Sequence, residues 1–214
     1  QRAGHMPIPP RTLTIASLAA GTDGPIQAMD VVAKDTTVTT DDLRFTEIEH
    51  KFLVDDQFDL AAFDHTLRGM GPDKTTSLQV RDKYYLTDTG RTEGFLIRHR
   101  FDPELHHLTL KALEPDTEAR AEINLDLGHH IGDQQAAVDA FLDRLGVRWR
   151  GILQKDLAVW QFRDIEVVHY RATTETRTIR CVEFEATHKP SLRDALAVVH
   201  RYEEATGFNE RDRC

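Results

Sequence analysis

Residues 44–54 read Arg-Phe-Thr-Glu-Ile-Glu-His-Lys-Phe-Leu-Val, a run in which charged and apolar side chains alternate. Successive side chains of a β-strand point to opposite faces, so residues two apart share a face. A strand over this run therefore carries Glu47, Glu49 and Lys51 on one face and Ile48 on the other. One charged face on one strand is usually solvated surface, so its meaning depends on the strands that accompany it.

Seven further strands and three helices are predicted along the chain. Apolar spacing with capping and stop residues places the helices at Phe58–Met70, Asp133–Leu145 and Ser191–Gly207. Runs of β-forming residues place the strands at Arg44–Val54, Ser77–Leu86, Gly94–Phe101, Leu105–Leu113, Ala119–Leu127, Gly151–Phe162, Ile165–Thr173 and Arg177–Thr187. Short links favour antiparallel pairing, and a large antiparallel sheet closes into a barrel or splits into a sandwich. The pattern predicts an α+β fold with an eight-stranded antiparallel β-barrel.

Paired charges recur at alternate positions of several other predicted strands. If helices pack on the outside of a barrel, the apolar strand faces point outward to them and the charged faces point inward. The prediction is therefore a tunnel with a charged interior and helices packed outside. The expected interior set is Glu47, Glu49, Glu122, Glu183 and Glu185 with Lys51, Arg98, Arg100, Lys111, Arg120 and Lys155.

Such an interior predicts a ligand. An unpartnered buried charge costs several kcal/mol, so the charges are expected to need partners in a wet tunnel. Carboxylates bind hard cations through oxygen, and Lys and Arg bind phosphate oxygens. A polyphosphate would pair with the basic residues of this interior set, and a bound Mg²⁺ or Mn²⁺ ion would pair with its acidic residues.

Composition narrows the class of protein. The chain has 214 residues, a net charge of −9 and two cysteines. An acidic balance argues against general binding of nucleic acid or of a membrane surface, and the cysteine count argues against a disulfide scaffold. We expect a cytoplasmic protein with no transmembrane helix. Residues 1–41 are interpreted as an N-terminal extension, whose first six residues could be a tag remnant, and residues 42–214 as the tunnel domain.

The charged strands resemble those of the triphosphate tunnel metalloenzymes, also called the CYTH domain family. This family includes class IV adenylate cyclases, thiamine triphosphatases and inorganic tripolyphosphatases. The resemblance extends from Thr46 to Phe208 and rests on order and spacing. It is carried by Glu47-x-Glu49-x-Lys51, Asp82-Lys83-Tyr84-Tyr85, Arg98-x-Arg100, Leu108-Thr109-Leu110-Lys111, Arg120-x-Glu122, Lys155 and Glu183-x-Glu185.

The resemblance implies a role for each matching residue. Metal ligands would be Glu47, Glu49, Glu122, Glu183 and Glu185, holding one or two Mg²⁺ or Mn²⁺ ions. Substrate-binding residues would be Lys51, Arg98, Arg100, Lys111, Arg120 and Lys155. Glu47, Glu49 and Lys51 would be essential for catalysis, which proceeds by electrostatic positioning and metal-assisted attack of water on the terminal phosphate.

The function implied is a metal-dependent hydrolase of inorganic tripolyphosphate, thiamine triphosphate or a nucleoside triphosphate. Three alternatives stay open: a cyclase that makes cyclic AMP from ATP, a non-catalytic module that binds nucleotide or polyphosphate, and a biosynthetic enzyme that acts on an unusual phosphorylated metabolite. The second is encouraged by two departures from the family pattern: Leu157 stands where an arginine is common, and only Glu175 approximates a seventh-strand acid. The oligomeric state is also open, with a homodimer among the alternatives.

Two minor features complete the expectations. Trp149 and Trp160 are expected to be packing residues. The pairs His106-His107 and His129-His130 are expected in solvent-exposed turns. They are not expected to bind a metal, because adjacent residues of a strand point apart and cannot share a ligand.

Overall fold

The computed structural model describes residues 46–101, 106–113, 119–128, 134–174, 176–186, 189–209 and 213, without the side chains of residues 46, 47 and 119–121. The predicted extension, residues 1–41, lies outside this range. Among the described residues, no helix combines the length and the apolar character that crossing a bilayer requires.

The described residues form eight strands and four helices. The strands are β1 (Thr46–Val54), β2 (Lys74–Thr87), β3 (Phe95–Phe101), β4 (His106–Ala112), β5 (Ala119–Asp126), β6 (Val147–Gln161), β7 (Glu166–Thr173) and β8 (Thr178–Ala186). The helices are α1 (Leu60–Gly69), α2 (Asp88–Glu93), α3 (Gln134–Arg144) and α4 (Leu192–Thr206).

The strands form one closed antiparallel barrel in the order β1-β5-β4-β3-β2-β6-β7-β8. Closure runs through β1 and β8, where Glu49 is opposite Glu185 and Lys51 is opposite Glu183. On the other side β1 pairs with β5 only from Thr46 to Ile48. The predicted α+β fold and the predicted barrel are confirmed, and residues 47–51 lie at the seam that closes it.

The main apolar core lies between the barrel wall and the helices α1 and α4. The outward face of β1 contributes Ile48 and Phe52, and the outward face of β8 contributes Phe184. They pack with helix residues such as Leu67 and Val199, all five being at most 2% exposed. Burying this face outward leaves the alternate residues of β1 and β8 facing the interior.

A short helix, α2, was not predicted from the sequence. The Thr87 hydroxyl accepts a hydrogen bond of 2.8 Å from the Gly90 amide at its start, and Gly94 ends it with φ of +74°. Six residues are too few for a 3.6-residue apolar period to be recognised. The predicted cap of the last helix is confirmed, because the Ser191 hydroxyl accepts from the Asp194 amide at 3.1 Å.

The outer face of β5 departs from the expectation that helices cover every apolar strand face. Ile123 and Leu125 point outward and are 44% and 54% exposed. The described helices pack mainly on β1, β2, β3, β6 and β8, so this part of the wall faces outward without a described helix on it.

The expectation of exposed turns at His106-His107 is wrong for His106. His106 lies on β4, is 1% exposed, and its Nδ1 donates to the Gly128 carbonyl at 2.7 Å. Its Nε2 then accepts from His99 Nε2 at 3.0 Å. The register of β3 and β4 brings two buried imidazoles together, which local spacing could not reveal. His129-His130 lies outside the described residues.

We expect this histidine pair to weaken the fold at acid pH. Burial, together with the adjacent His106 ring, lowers the pKa of His99 to about 4 from its ordinary 6.5. Between pH 6.5 and pH 4, His99 is therefore protonated in the unfolded chain but neutral in the folded chain. The folded state consequently loses stability as the pH falls below 6.5. The urea concentration at the unfolding midpoint should decrease less between pH 6.5 and pH 4 in His99→Gln than in the wild type.

The exposed His65 of α1 supplies the control for this experiment. His65→Gln should keep the pH dependence of the wild type. An unchanged pH dependence in His99→Gln would contradict the assignment.

Candidate functional site

All eight strands place charged side chains on the interior face of the barrel. Alternation along each strand selects them, because their neighbours in sequence face outward. The described set is Glu49 and Lys51 on β1, Asp82 on β2, Arg98 and Arg100 on β3, Lys111 on β4, Glu122 on β5, Lys155 on β6, Glu166 on β7, and Glu183 and Glu185 on β8. The three clusters of ion pairs described below include all of them except Glu166 and Glu185.

The first cluster centres on Lys51. Its Nζ lies 2.7 Å from Glu49 Oε1 and 2.7 Å from Glu183 Oε1, and the Tyr170 hydroxyl donates to Glu183 Oε1 at 2.7 Å. Burial disfavours the charged ammonium, but Glu183 and Glu49 outweigh this and raise the pKa of Lys51 well above its ordinary value. Lys51 is therefore a permanent cation between two carboxylates that also contact other groups.

The second cluster centres on Glu122. Arg98 Nη2 lies 3.1 Å from Glu122 Oε1, and Lys111 Nζ lies 2.7 Å from Glu122 Oε2. Arg98 also donates to the Thr109 hydroxyl at 3.1 Å, which donates in turn to Asn124 Oδ1 at 2.6 Å. One carboxylate thus holds two cations on neighbouring strands in fixed positions.

The third cluster centres on Asp82, which is fully buried. Arg100 donates to both of its oxygens, at 2.7 and 2.8 Å, and Lys155 Nζ lies 3.3 Å from Oδ2. Burial alone would raise the pKa of Asp82, yet Lys155, Arg100 and Arg98 outweigh it and hold that pKa well below its ordinary value. The Tyr84 hydroxyl donates to Oδ2 at 3.4 Å.

These clusters correct one premise of the sequence argument. The interior charges were expected to need an external ligand, but each described interior cation lies within 3.3 Å of an interior carboxylate. Ion pairing across strands offsets much of the desolvation cost. A ligand is therefore not required for the barrel to exist, and an anion that binds there must exchange with carboxylates already in place.

Three carboxylates form the arrangement best suited to a cation. One oxygen from each of Glu49, Glu183 and Glu185 lies within 4.8 Å of the other two. An all-oxygen, negatively charged donor set fits Mg²⁺ or Mn²⁺ rather than a soft metal. The first two side chains are buried and the third is half-buried, so water access is restricted but not closed.

A second group of metal-ligand types lies outside the barrel, beneath α4. His50 Nδ1 is 2.6 Å from Glu203 Oε1. Arg213 Nη2 lies 3.1 Å from His200 Nε2 and 3.4 Å from Glu203 Oε2. A guanidinium thus occupies one side of this group, and its evident role is to attach α4 and residue 213 to β1.

The predicted site residues meet in one place wherever their side chains are described. Nine of them lie in the three clusters or the carboxylate trio: Glu49, Lys51, Arg98, Arg100, Lys111, Glu122, Lys155, Glu183 and Glu185. Glu47 and Arg120 are opposite each other in the β1–β5 register, but their side chains lie outside the description. Glu175 also lies outside the described residues. Glu122 contacts Arg98 and Lys111 and is not part of the carboxylate trio.

Besides Glu166 of β7, which is opposite Glu185, two interior residues were missed as site candidates. Asp82 was noted only as part of a motif, although it alternates with Val80 and Tyr84 on β2, and a lone acid between apolar neighbours on one face is the signal that could have found it. Tyr170 lies on β7, opposite Cys181, and no spacing in the sequence links it to Glu183.

No family model and no curated protein matches this chain. Among solved structures, the PH1012 protein of Pyrococcus horikoshii is 17% identical and covers 78% of this chain and 94% of its own, with a TM-score of 0.61. A conserved hypothetical protein of Pyrococcus furiosus is 23% identical over 78% and 94%, with a TM-score of 0.60. A candidate adenylate cyclase of Vibrio parahaemolyticus is 15% identical over 78% and 92%, with a TM-score of 0.53.

Such distant similarities establish the fold. The chain shares its barrel architecture with these proteins over nearly their whole length. The same fold can host different activities, so activity has to be argued from the interior side chains.

Proposed function

We propose that this chain is a metal-dependent hydrolase of a triphosphate, acting inside its barrel. The observation that carries the proposal is the convergence of five cations from four strands beside a trio of carboxylates in one interior. Phosphate oxygens and a divalent cation are the ligands that these two donor sets prefer.

The cationic clusters would bind the phosphate chain. Arg98, Arg100 and Lys155 are held by carboxylates at positions set by the strands, which lowers the entropy cost of gathering them around an anion. The entering phosphate oxygens would replace part of the contacts that Asp82 and Glu122 now make. Arginine suits this exchange because its fork can bind two oxygens at once.

The carboxylate trio would hold the cation. Glu49, Glu183 and Glu185 are the residues that would bind Mg²⁺ or Mn²⁺, which when bound neutralises negative charge on the triphosphate. Lys51, shared now between Glu49 and Glu183, would remain charged and could interact with the terminal phosphate group. Its raised pKa keeps it a cation throughout the physiological range.

A substrate panel tests the proposal. Tripolyphosphate, ATP and thiamine triphosphate should be incubated with Mg²⁺ or Mn²⁺, and every product should be measured. We expect release of inorganic phosphate from at least one of them, and its loss when the metal is removed with EDTA.

Two of the alternatives, the cyclase and the non-catalytic module, give different results in the same experiment. Cyclic AMP and pyrophosphate from ATP would replace the hydrolase with a cyclase. Tight triphosphate binding without turnover of any substrate would indicate a non-catalytic module, in accord with apolar Leu157 on the interior side of β6.

A further inference from the structure

We propose that Tyr170 is a positioning residue of the interior site, which holds a cation ligand with its hydroxyl and a phosphate-binding lysine with its ring. The inference rests on the proposed function and deepens it by adding a residue that no sequence motif marked. Tyr170 would not touch the reacting atoms. It would act through Glu183 on one side and through Lys155 on the other.

The hydroxyl of Tyr170 holds Glu183 by one of its two oxygens. It donates to Glu183 Oε1 at 2.7 Å, and Lys51 Nζ lies 2.7 Å from the same oxygen. A carboxylate oxygen offers about two lone-pair positions, so these two donors occupy Oε1. Oε2 is therefore the oxygen with which Glu183 would bind a cation in the carboxylate trio.

This hydrogen bond matters most when a triphosphate binds. Lys51 is now shared between Glu49 and Glu183, and a phosphate group would draw its ammonium away from them. The Tyr170 hydroxyl does not depend on that ammonium, so Glu183 would keep its orientation after Lys51 has turned to the phosphate. Groups that orient a metal ligand in this way contribute strongly to metal affinity.

Burial fixes the ring of Tyr170. The ring belongs to an interior apolar cluster that includes Tyr84 and Leu153, and the residue is 5% exposed. Trp149 packs against the same cluster, which confirms its expected packing role. Because close-packed neighbours enclose the ring, the hydroxyl has little freedom to leave Glu183.

The face of the same ring contacts Lys155. Lys155 Nζ lies 4.9 Å from the centroid of the Tyr170 ring and 3.3 Å from Asp82 Oδ2. The negative face of an aromatic ring attracts an ammonium, most strongly where water is excluded, and Lys155 is 9% exposed. The ring therefore holds a proposed phosphate-binding cation in place without cancelling its charge, and it can do so while a phosphate replaces Asp82.

Metal binding in the absence of substrate tests the hydroxyl. Mn²⁺ should be titrated into the wild type and into Tyr170→Phe, with the free ion measured by electron paramagnetic resonance. The substitution keeps the ring in its cluster and removes only the donor. We expect the Kd for Mn²⁺ to rise by about 10- to 100-fold. Binding of tripolyphosphate without metal should stay within about twofold, because the ring beside Lys155 is retained.

Tyr85→Phe is the matched control for this experiment. Tyr85 is fully buried, and its hydroxyl donates to Asp139 of α3 on the outside of the barrel. The control thus removes the same kind of hydrogen bond away from the carboxylate trio, and the Mn²⁺ affinity should stay within about twofold of the wild type. A loss as large as that of Tyr170→Phe would indicate general loosening of the fold and overturn the proposal.

A fluorinated ring tests the contact with Lys155. Pentafluorophenylalanine in place of Tyr170 lacks the hydroxyl, as Tyr170→Phe does, but its fluorines withdraw the negative charge from the ring face that attracts a cation. Calorimetry without metal should show tripolyphosphate binding about 3- to 30-fold more weakly to the fluorinated protein than to Tyr170→Phe. If the fluorinated protein does not fold, Tyr170→Leu replaces it, because leucine also removes the ring face.

The results distinguish this inference from the proposed function. Unchanged Mn²⁺ affinity in Tyr170→Phe, or equal tripolyphosphate affinity with and without the fluorines, would overturn the role of Tyr170 while leaving the proposed site intact. A wild type that binds neither Mn²⁺ nor tripolyphosphate would instead overturn the proposed function.

Discussion

Glu49→Gln is expected to reduce turnover of the best triphosphate substrate by about a thousandfold, the scale of removing a principal electrostatic group from a catalytic site. The change is nearly isosteric but removes one negative charge from the carboxylate trio. It also weakens the 2.7 Å contact with Lys51. Single-turnover and steady-state phosphate release should both fall, and the concentration of Mn²⁺ or Mg²⁺ needed for half-activity should rise.

The matched control is Arg171→Gln. Arg171 pairs with Asp156 on the outside of the barrel, where its side chain is 52% exposed. Such surface pairs contribute at most about 1 kcal/mol, so this variant should keep wild-type turnover. Turnover of Glu49→Gln at the wild-type rate, with the same metal dependence, would refute the carboxylate site.

Among the substitutions proposed here, Asp82→Asn is expected to lower the free energy of unfolding most, by about 3–5 kcal/mol. This is the cost of breaking a buried ion pair by removing one partner. Asp82 is fully buried and neutralises Arg100 and Lys155 together. The asparagine keeps the volume but leaves both cations without that charge. Urea unfolding followed by circular dichroism measures the difference.

An added anion separates the electrostatic cause from simple mispacking. If Asp82 acts by neutralising the cations, tripolyphosphate should raise the unfolding midpoint of Asp82→Asn more than that of the wild type, because the vacated cations gain a new partner. An equal shift in both proteins would indicate that the lost stability comes from packing.

The pH dependence of stability gives a second check on Asp82. Its pKa lies below the ordinary value of 3.8, so its contribution is present above that pH and is lost as the pH falls below it. Below pH 3.8 the wild type should therefore lose stability more steeply than Asp82→Asn.

Local patterns were sufficient for most of the barrel and for which residues face its interior. The alternation of Glu49 and Lys51 with Ile48 specifies the two faces of β1. The same kind of alternation specifies the outward apolar face of β8. Local sequence patterns were insufficient where the pairing register of distant strands decides which residues surround a side chain. His106 looked like a turn residue until β3 placed His99 against it.

The sequence by itself determined the eight strands, the three longer helices and the nine predicted site residues whose described side chains meet in the interior, since each follows from side-chain periodicity along a local segment. Only the tertiary structure decided which charges pair, because Lys51 meets Glu183 and Arg100 meets Asp82 through strand order and register. Those contacts join residues up to 132 positions apart, and no local period encodes such a distance. For the same reason, the neutralisation of the interior by its own side chains became evident only in the folded barrel.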